Sequence, residues 1–152
     1  MSRPSSPAFL SRRAALLAAP LLVLAAATPA HAQLEPRVSP AGAKVYFISP
    51  AHGETVSNPV IVRFGLSGMG VAPAGIDMPN TGHHHLIIDK PQPPAGVAIP
   101  TDDNHRHFGG GQTEASITLP PGQHTLQLVL GDFVHSLHAP PVVSERITIT
   151  VK

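Results

Sequence analysis

From Lys44 onward, apolar residues recur at every second position, and no stretch longer than ten residues holds a helical period. Such alternation turns one face of a strand toward a core and the other toward water. In Pro59-Val60-Ile61-Val62-Arg63-Phe64-Gly65-Leu66, Val60, Val62, Phe64 and Leu66 share a face and Arg63 lies on the other. His124, Leu126, Leu128 and Leu130 share a face in the same way, as do Ile147, Ile149 and Val151. Lys44-Val45-Tyr46-Phe47-Ile48, the run from His84 to Asp89, and Ala115-Ser116-Ile117-Thr118-Leu119 complete six strands. With 18 prolines and 13 glycines, every gap between them is broken by turn formers, which excludes a helical scaffold.

The expected fold is all-β, an immunoglobulin-like β-sandwich of about 6–7 antiparallel strands, with 97–99 or 133–135 as a candidate seventh. Pro50-Ala51-His52-Gly53-Glu54-Thr55-Val56, followed by Pro59, resembles the first hairpin of many bacterial immunoglobulin-like modules. The chain has no cysteine and no tryptophan, so the antibody-type disulfide and core tryptophan are missing. A cupredoxin-like barrel is the nearest rival, but its mononuclear copper site needs a cysteine ligand. Residues 91–100 are proline-rich and are expected to run extended over the surface. Residues 101–112 form a loop of a length that is usually functional or mobile in a compact domain.

The first 32 residues have the pattern of an export signal. Arg3, Arg12 and Arg13 precede an apolar run from Ala14 to Ala27, and Ala30-His31-Ala32 supplies small residues at a cleavage site before Gln33. The run is short for a membrane span of about 20 residues. Ser11-Arg12-Arg13 resembles a twin-arginine signal, although Ala15 stands where a bulky residue is usual, so Sec and twin-arginine export both stay open. No cysteine is present to carry a lipid anchor. The expected organisation is a signal peptide at 1–32, a short linker at 33–43 and the sandwich at 44–152, in the periplasm or secreted, with no membrane span after cleavage.

Loss of the three signal arginines would lower Lys+Arg from 10 to 7 against 9 acidic residues, a net charge of −2. No basic patch remains for nucleic acid or a membrane surface. What remains is histidine: 10 residues, as many as Lys and Arg together. Imidazole ligates metals and moves protons near neutral pH.

Gly82-His83-His84-His85-Leu86-Ile87-Ile88-Asp89 opens on three consecutive histidines. Residues two apart on a strand lie roughly 6.6 Å apart on one face. His83 and His85 therefore pair toward a common ion, while His84 turns away with Leu86 and Ile88. His105 and His107 form a second His-x-His about 20 residues on. The two pairs offer four nitrogens for a closed site, or three and an open position. His135, with His138 beyond it, is a reserve ligand on a loop after Gly131-Asp132. Asp89 and Asp132 are candidates to orient imidazoles, although Asp132 better suits a turn cap. Plainer readings stand beside these: a solvated strand end at 83 and 85, and a solvated loop at 105 and 107. His124 reads as a packed, hydrogen-bonded core-edge residue, and His52 as a solvated hairpin residue. Met69 and Met78 flank a Gly/Pro-rich connector and fit no Met-rich copper motif.

Catalytic signatures are missing. There is no Gly-x-Ser-x-Gly elbow, no His-Glu-x-x-His, and the Gly109-Gly110-Gly111 run has no phosphate-loop context. Three segments carry a family likeness: the His83 to Asp89 strand with Gly82; His107-Phe108-Gly109-Gly110-Gly111-Gln112-Thr113-Glu114; and Leu119-Pro120-Pro121-Gly122-Gln123-His124-Thr125-Leu126-Gln127-Leu128, with Gly131-Asp132 and His135. Together they resemble the exported bacterial family catalogued as domain of unknown function 4399, over about Lys44 to Val151. That resemblance implies an exported module and brings no activity, substrate or cofactor.

The residues thus point to a periplasmic histidine-rich protein that binds, delivers or buffers copper or zinc through His83, His85, His105 and His107, with His135 in reserve. The rival reading is a non-catalytic cell-envelope module that binds a protein or a glycan. An enzyme using the same metal at an open position ranks behind both.

Overall fold

A computed structural model of the chain describes residues 35–152. The expected signal peptide lies outside the described residues. Nine strands are present among them: β1 (Lys44–Ser49), β2 (Thr55–Val56), β3 (Val60–Ser67), β4 (Gly70–Val71), β5 (Thr81–Ile88), β6 (His105–His107), β7 (Glu114–Ile117), β8 (Gly122–Gly131) and β9 (Ile147–Val151). The six longest strands correspond to the six read from the sequence. The three additions have only two or three residues each, too few for a period to show. No helix among the described residues is long and apolar enough to cross a membrane.

The strands form two sheets. One is three-stranded in the order β1-β3-β7; the other runs β2-β9-β8-β5-β4, with β6 also on β5. The six expected strands pair antiparallel, and the two-residue strands β2 and β4 add parallel pairings to β9 and β5. Val45, Val60, Val62, Phe64 and Ile117 of the small sheet pack against Leu86, Leu126, Leu128, Leu130, Ile149 and Val151 of the large one. This is a β-sandwich with its core between the inner faces. The narrower immunoglobulin-like assignment rests on the turn patterns of the sequence alone.

The outer face of the large sheet is covered too, and that coverage places the site. Ile87 and Val129 point outward and join Ile99 and Leu137 in a second, smaller apolar cluster. Ile99 comes from the proline-rich segment expected to lie on the surface, yet its backbone N–H bonds to the His135 carbonyl at 2.7 Å and its side chain is buried. Neither 97–99 nor 133–135 forms a strand; the two meet through a single Ala98–Ser136 bridge. From Gly82 to Ile88, β5 is therefore buried on both faces, which explains why Leu86-Ile87-Ile88 runs apolar without alternation.

Candidate metal centre

His83 and His85 project from β5 onto this covered outer face, and His84 projects into the core. The split follows from the strand period. His84 stacks on Phe64 with 5.2 Å between ring centroids. His83 and His85 are fully buried, with their Nε2 atoms 3.0 Å apart.

β6 brings the third imidazole. His107 lies directly opposite His85 in the β5/β6 ladder, and the two ring centroids are 5.0 Å apart. Directly opposed residues of an antiparallel pair hold their Cβ atoms about 4.5–5.5 Å apart. The fourth comes from the turn after β8. Asp132 Oδ1 accepts the backbone N–H groups of Val134 and Ser136 at 3.0 and 2.8 Å, and the His135 N–H bonds to the Asp132 carbonyl. This turn holds His135 at φ 67°, a left-handed conformation uncommon outside glycine and found at functional sites. Its Nε2 then meets His107 Nε2 at 3.1 Å.

The four rings form one cluster. Centroid separations run from 4.7 Å (His107–His135) to 5.9 Å (His85–His135). Ligand atoms of His83, His107 and His135 lie within 4.8 Å of one another, close enough to hold a metal ion. Four nitrogens bound at about 2.0–2.1 Å around a tetrahedral ion would stand about 3.3 Å apart. The two Nε2–Nε2 contacts are near that spacing, and the trio within 4.8 Å does not include His85, which meets it through His83.

Two glycines make the room. A Cβ at Gly131 would sit 2.8 Å from His85 Nε2, and a Cβ at Gly109 would overlap the His107 ring. Residues 72–75 tie together the segments that carry His107 and His135. The Ala74 N–H bonds to the Gly109 carbonyl and the Gly75 N–H to the Phe133 carbonyl, each at 2.9 Å.

Electrostatics favour the neutral form of His83, His85 and His107. Burial first, and the neighbouring imidazoles second, push the His85 imidazole down to about 2 and His83 to about 4. His107 is lowered by burial and by His135. Neutral imidazole is the form that ligates metal. Nδ1 of His83 and of His85 is buried without a hydrogen-bond partner. Burial likewise takes His84 down to about 4, with the nearby Gln112 backbone opposing only in part.

The remaining candidates fall elsewhere. His105 shares the face of His107 but does not join the cluster: its Nδ1 is 2.9 Å from Asp102 Oδ1, in a turn where Asp102 also accepts the His105 N–H. It borders a groove of about 630 Å³ that also touches Arg106 and His107. His138 is buried with its nitrogens 3.3 Å from the Leu130 and Thr81 carbonyls. His124 is the hydrogen-bonded residue expected, with Nδ1 2.7 Å from Asp89 Oδ2 and Nε2 2.9 Å from the Pro120 carbonyl. Asp89 thus serves His124 and not the cluster, and Asp132 caps a turn instead of touching an imidazole. His52 is exposed and accepts the Thr148 N–H. Met69 packs at the core edge and Met78 is exposed. The parts played by Gly109, Gly131 and the 72–75 segment were not legible from residue order, because clearance and cross-loop bonds leave no local pattern.

Fold and site define a class: an all-β sandwich domain that gathers histidines, close enough to hold a metal ion, on the covered outer face of one sheet. The chain belongs to the family described as Domain of unknown function (DUF4399), whose profile matches residues 62–152, a span containing all four clustered histidines. No curated protein and no solved structure matches the chain.

Proposed function

We propose that this protein binds copper or zinc through His83, His107 and His135, with His85 as the fourth imidazole, and that it works in the periplasm as a carrier or buffer. One observation carries the reading: four imidazoles from three separate segments, two fully buried and two half-buried, converge with ring nitrogens facing each other. Such an assembly has little structural merit without an ion. Burying polar nitrogens without partners costs about 1–3 kcal/mol each, and apolar residues would fill the space without that cost. No cysteine or carboxylate joins the rings, so the donor set is all imidazole, which suits copper and zinc. Periplasmic residence rests on the signal-like residues 1–32.

The test is titration of the purified, untagged protein with Zn(II) and with copper, followed by elemental analysis after desalting. One equivalent retained by the wild type and lost in a His83→Ala/His135→Ala variant supports the reading. Equal retention by the variant would sink it.

A further inference from the structure

We propose that the centre is a cuprous site, binding Cu(I) in preference to Zn(II) and Cu(II). This rests on the metal-binding reading above and adds the charge of the ion. A buried ion is stable where opposite charge meets it, and a dication among neutral ligands leaves two charges uncompensated. Here every donor is a neutral imidazole. The nearby carboxylates are engaged elsewhere: Asp132 with the Val134 and Ser136 N–H groups, Asp102 with His105, and Asp89 with His124.

The outer contacts agree. Histidines that hold a divalent ion usually donate their second N–H to a carboxylate or a carbonyl, which raises their basicity. With Nε2 turned to an ion, the Nδ1 atoms of His83 and His85 would carry that proton, and both are buried without an acceptor. His83 and His85 are fully buried, and burial disfavours even a single uncompensated positive charge. A divalent ion brings twice that charge into the same surroundings; Cu(I) brings it once. Cu(I) also accepts three ligands readily, the number in the tight trio of His83, His107 and His135.

Competition measurements at neutral pH decide it. The untagged protein is equilibrated anaerobically with Cu(I) against a chromogenic cuprous chelator, and separately with Zn(II) and Cu(II) against chelators of known affinity. Cu(I) is expected to bind more than about a hundredfold tighter than Zn(II), a gap on the scale of one uncompensated buried charge. His135→Asp, at a half-buried position, supplies the missing negative charge and is expected to shift the preference toward Zn(II). Zn(II) or Cu(II) binding as tightly as Cu(I) would overturn the cuprous assignment and leave the metal centre standing. Failure of all three ions to bind the wild type would overturn the metal centre itself.

Discussion

The Nε2 atoms of His107 and His135 stand 3.1 Å apart although 28 residues separate them in sequence. Neither is a neighbour on a strand. One rides on a three-residue strand at the edge of β5, the other on a capped turn after β8. Their meeting turns a pair of strand histidines, His83 and His85, into a cluster.

Ligand and bystander histidines should separate cleanly by mutation. His83→Ala and His107→Ala are each expected to weaken metal binding by about a hundredfold or more, through loss of a donor from a small set. His105→Ala is expected to change it by no more than about threefold, since it loses only a part-exposed contact to Asp102. Calorimetric titration of the three variants checks both expectations.

That contrast marks how far the sequence could be read. The period of two assigned the faces of the long strands and split His84 from His83 and His85. It also flagged two His-x-His pairs and their proximity. It could not choose between His105 and His107, because the choice depends on register across β5/β6 and on the Asp102 turn that captures His105. Nor could it promote His135 above a reserve, since a side chain aimed by a left-handed residue in a turn has no periodicity.

Asp132 should control affinity without touching an ion. Asp132→Ala removes the acceptor that holds the Val134 and Ser136 N–H groups and releases His135 from φ 67°. Metal affinity is expected to fall by about 10–100-fold. Asp132→Asn keeps one acceptor oxygen and is expected to recover much of the loss. Equal affinity in Asp132→Ala and wild type would show that the turn does not position His135.

Gly131→Ala and Gly109→Ala should act by crowding. Each places a methyl against a cluster imidazole. An expected cost of about 1–3 kcal/mol in stability accompanies weaker metal binding, measurable by urea unfolding with and without metal.

Acid should unfold the metal-free protein through its buried histidines, and His84 isolates one share of that effect. Its pKa is about 4 folded and 6.5 when exposed, so the unfolded chain binds the proton first. Stability is therefore full above pH 6.5 and falls as pH drops toward 4, by roughly 3 kcal/mol for this residue. His84→Leu removes two unpartnered buried nitrogens beside Phe64. It is expected to raise stability at pH 7 by about 1–3 kcal/mol, to flatten the acid limb and to leave metal affinity unchanged.

The His124–Asp89 pair should show the opposite slope at higher pH. Burial opposes the charged imidazole, but the Asp89 carboxylate and the Pro120 carbonyl prevail and raise its pKa. A raised pKa contributes stability that is present below pH 6.5 and is lost as pH climbs through the folded value. His124→Gln is expected to cost about 1 kcal/mol at pH 6 and less at pH 9, by chemical denaturation at the two pH values.

The most direct measurement is X-ray absorption at the metal edge of the loaded protein. At least three imidazole nitrogens at about 2.0 Å, with no sulfur scatterer, are expected from His83, His107 and His135, with His85 next to His83. A metal shell with one imidazole or none, or one dominated by solvent oxygen, would contradict a histidine centre on this sheet.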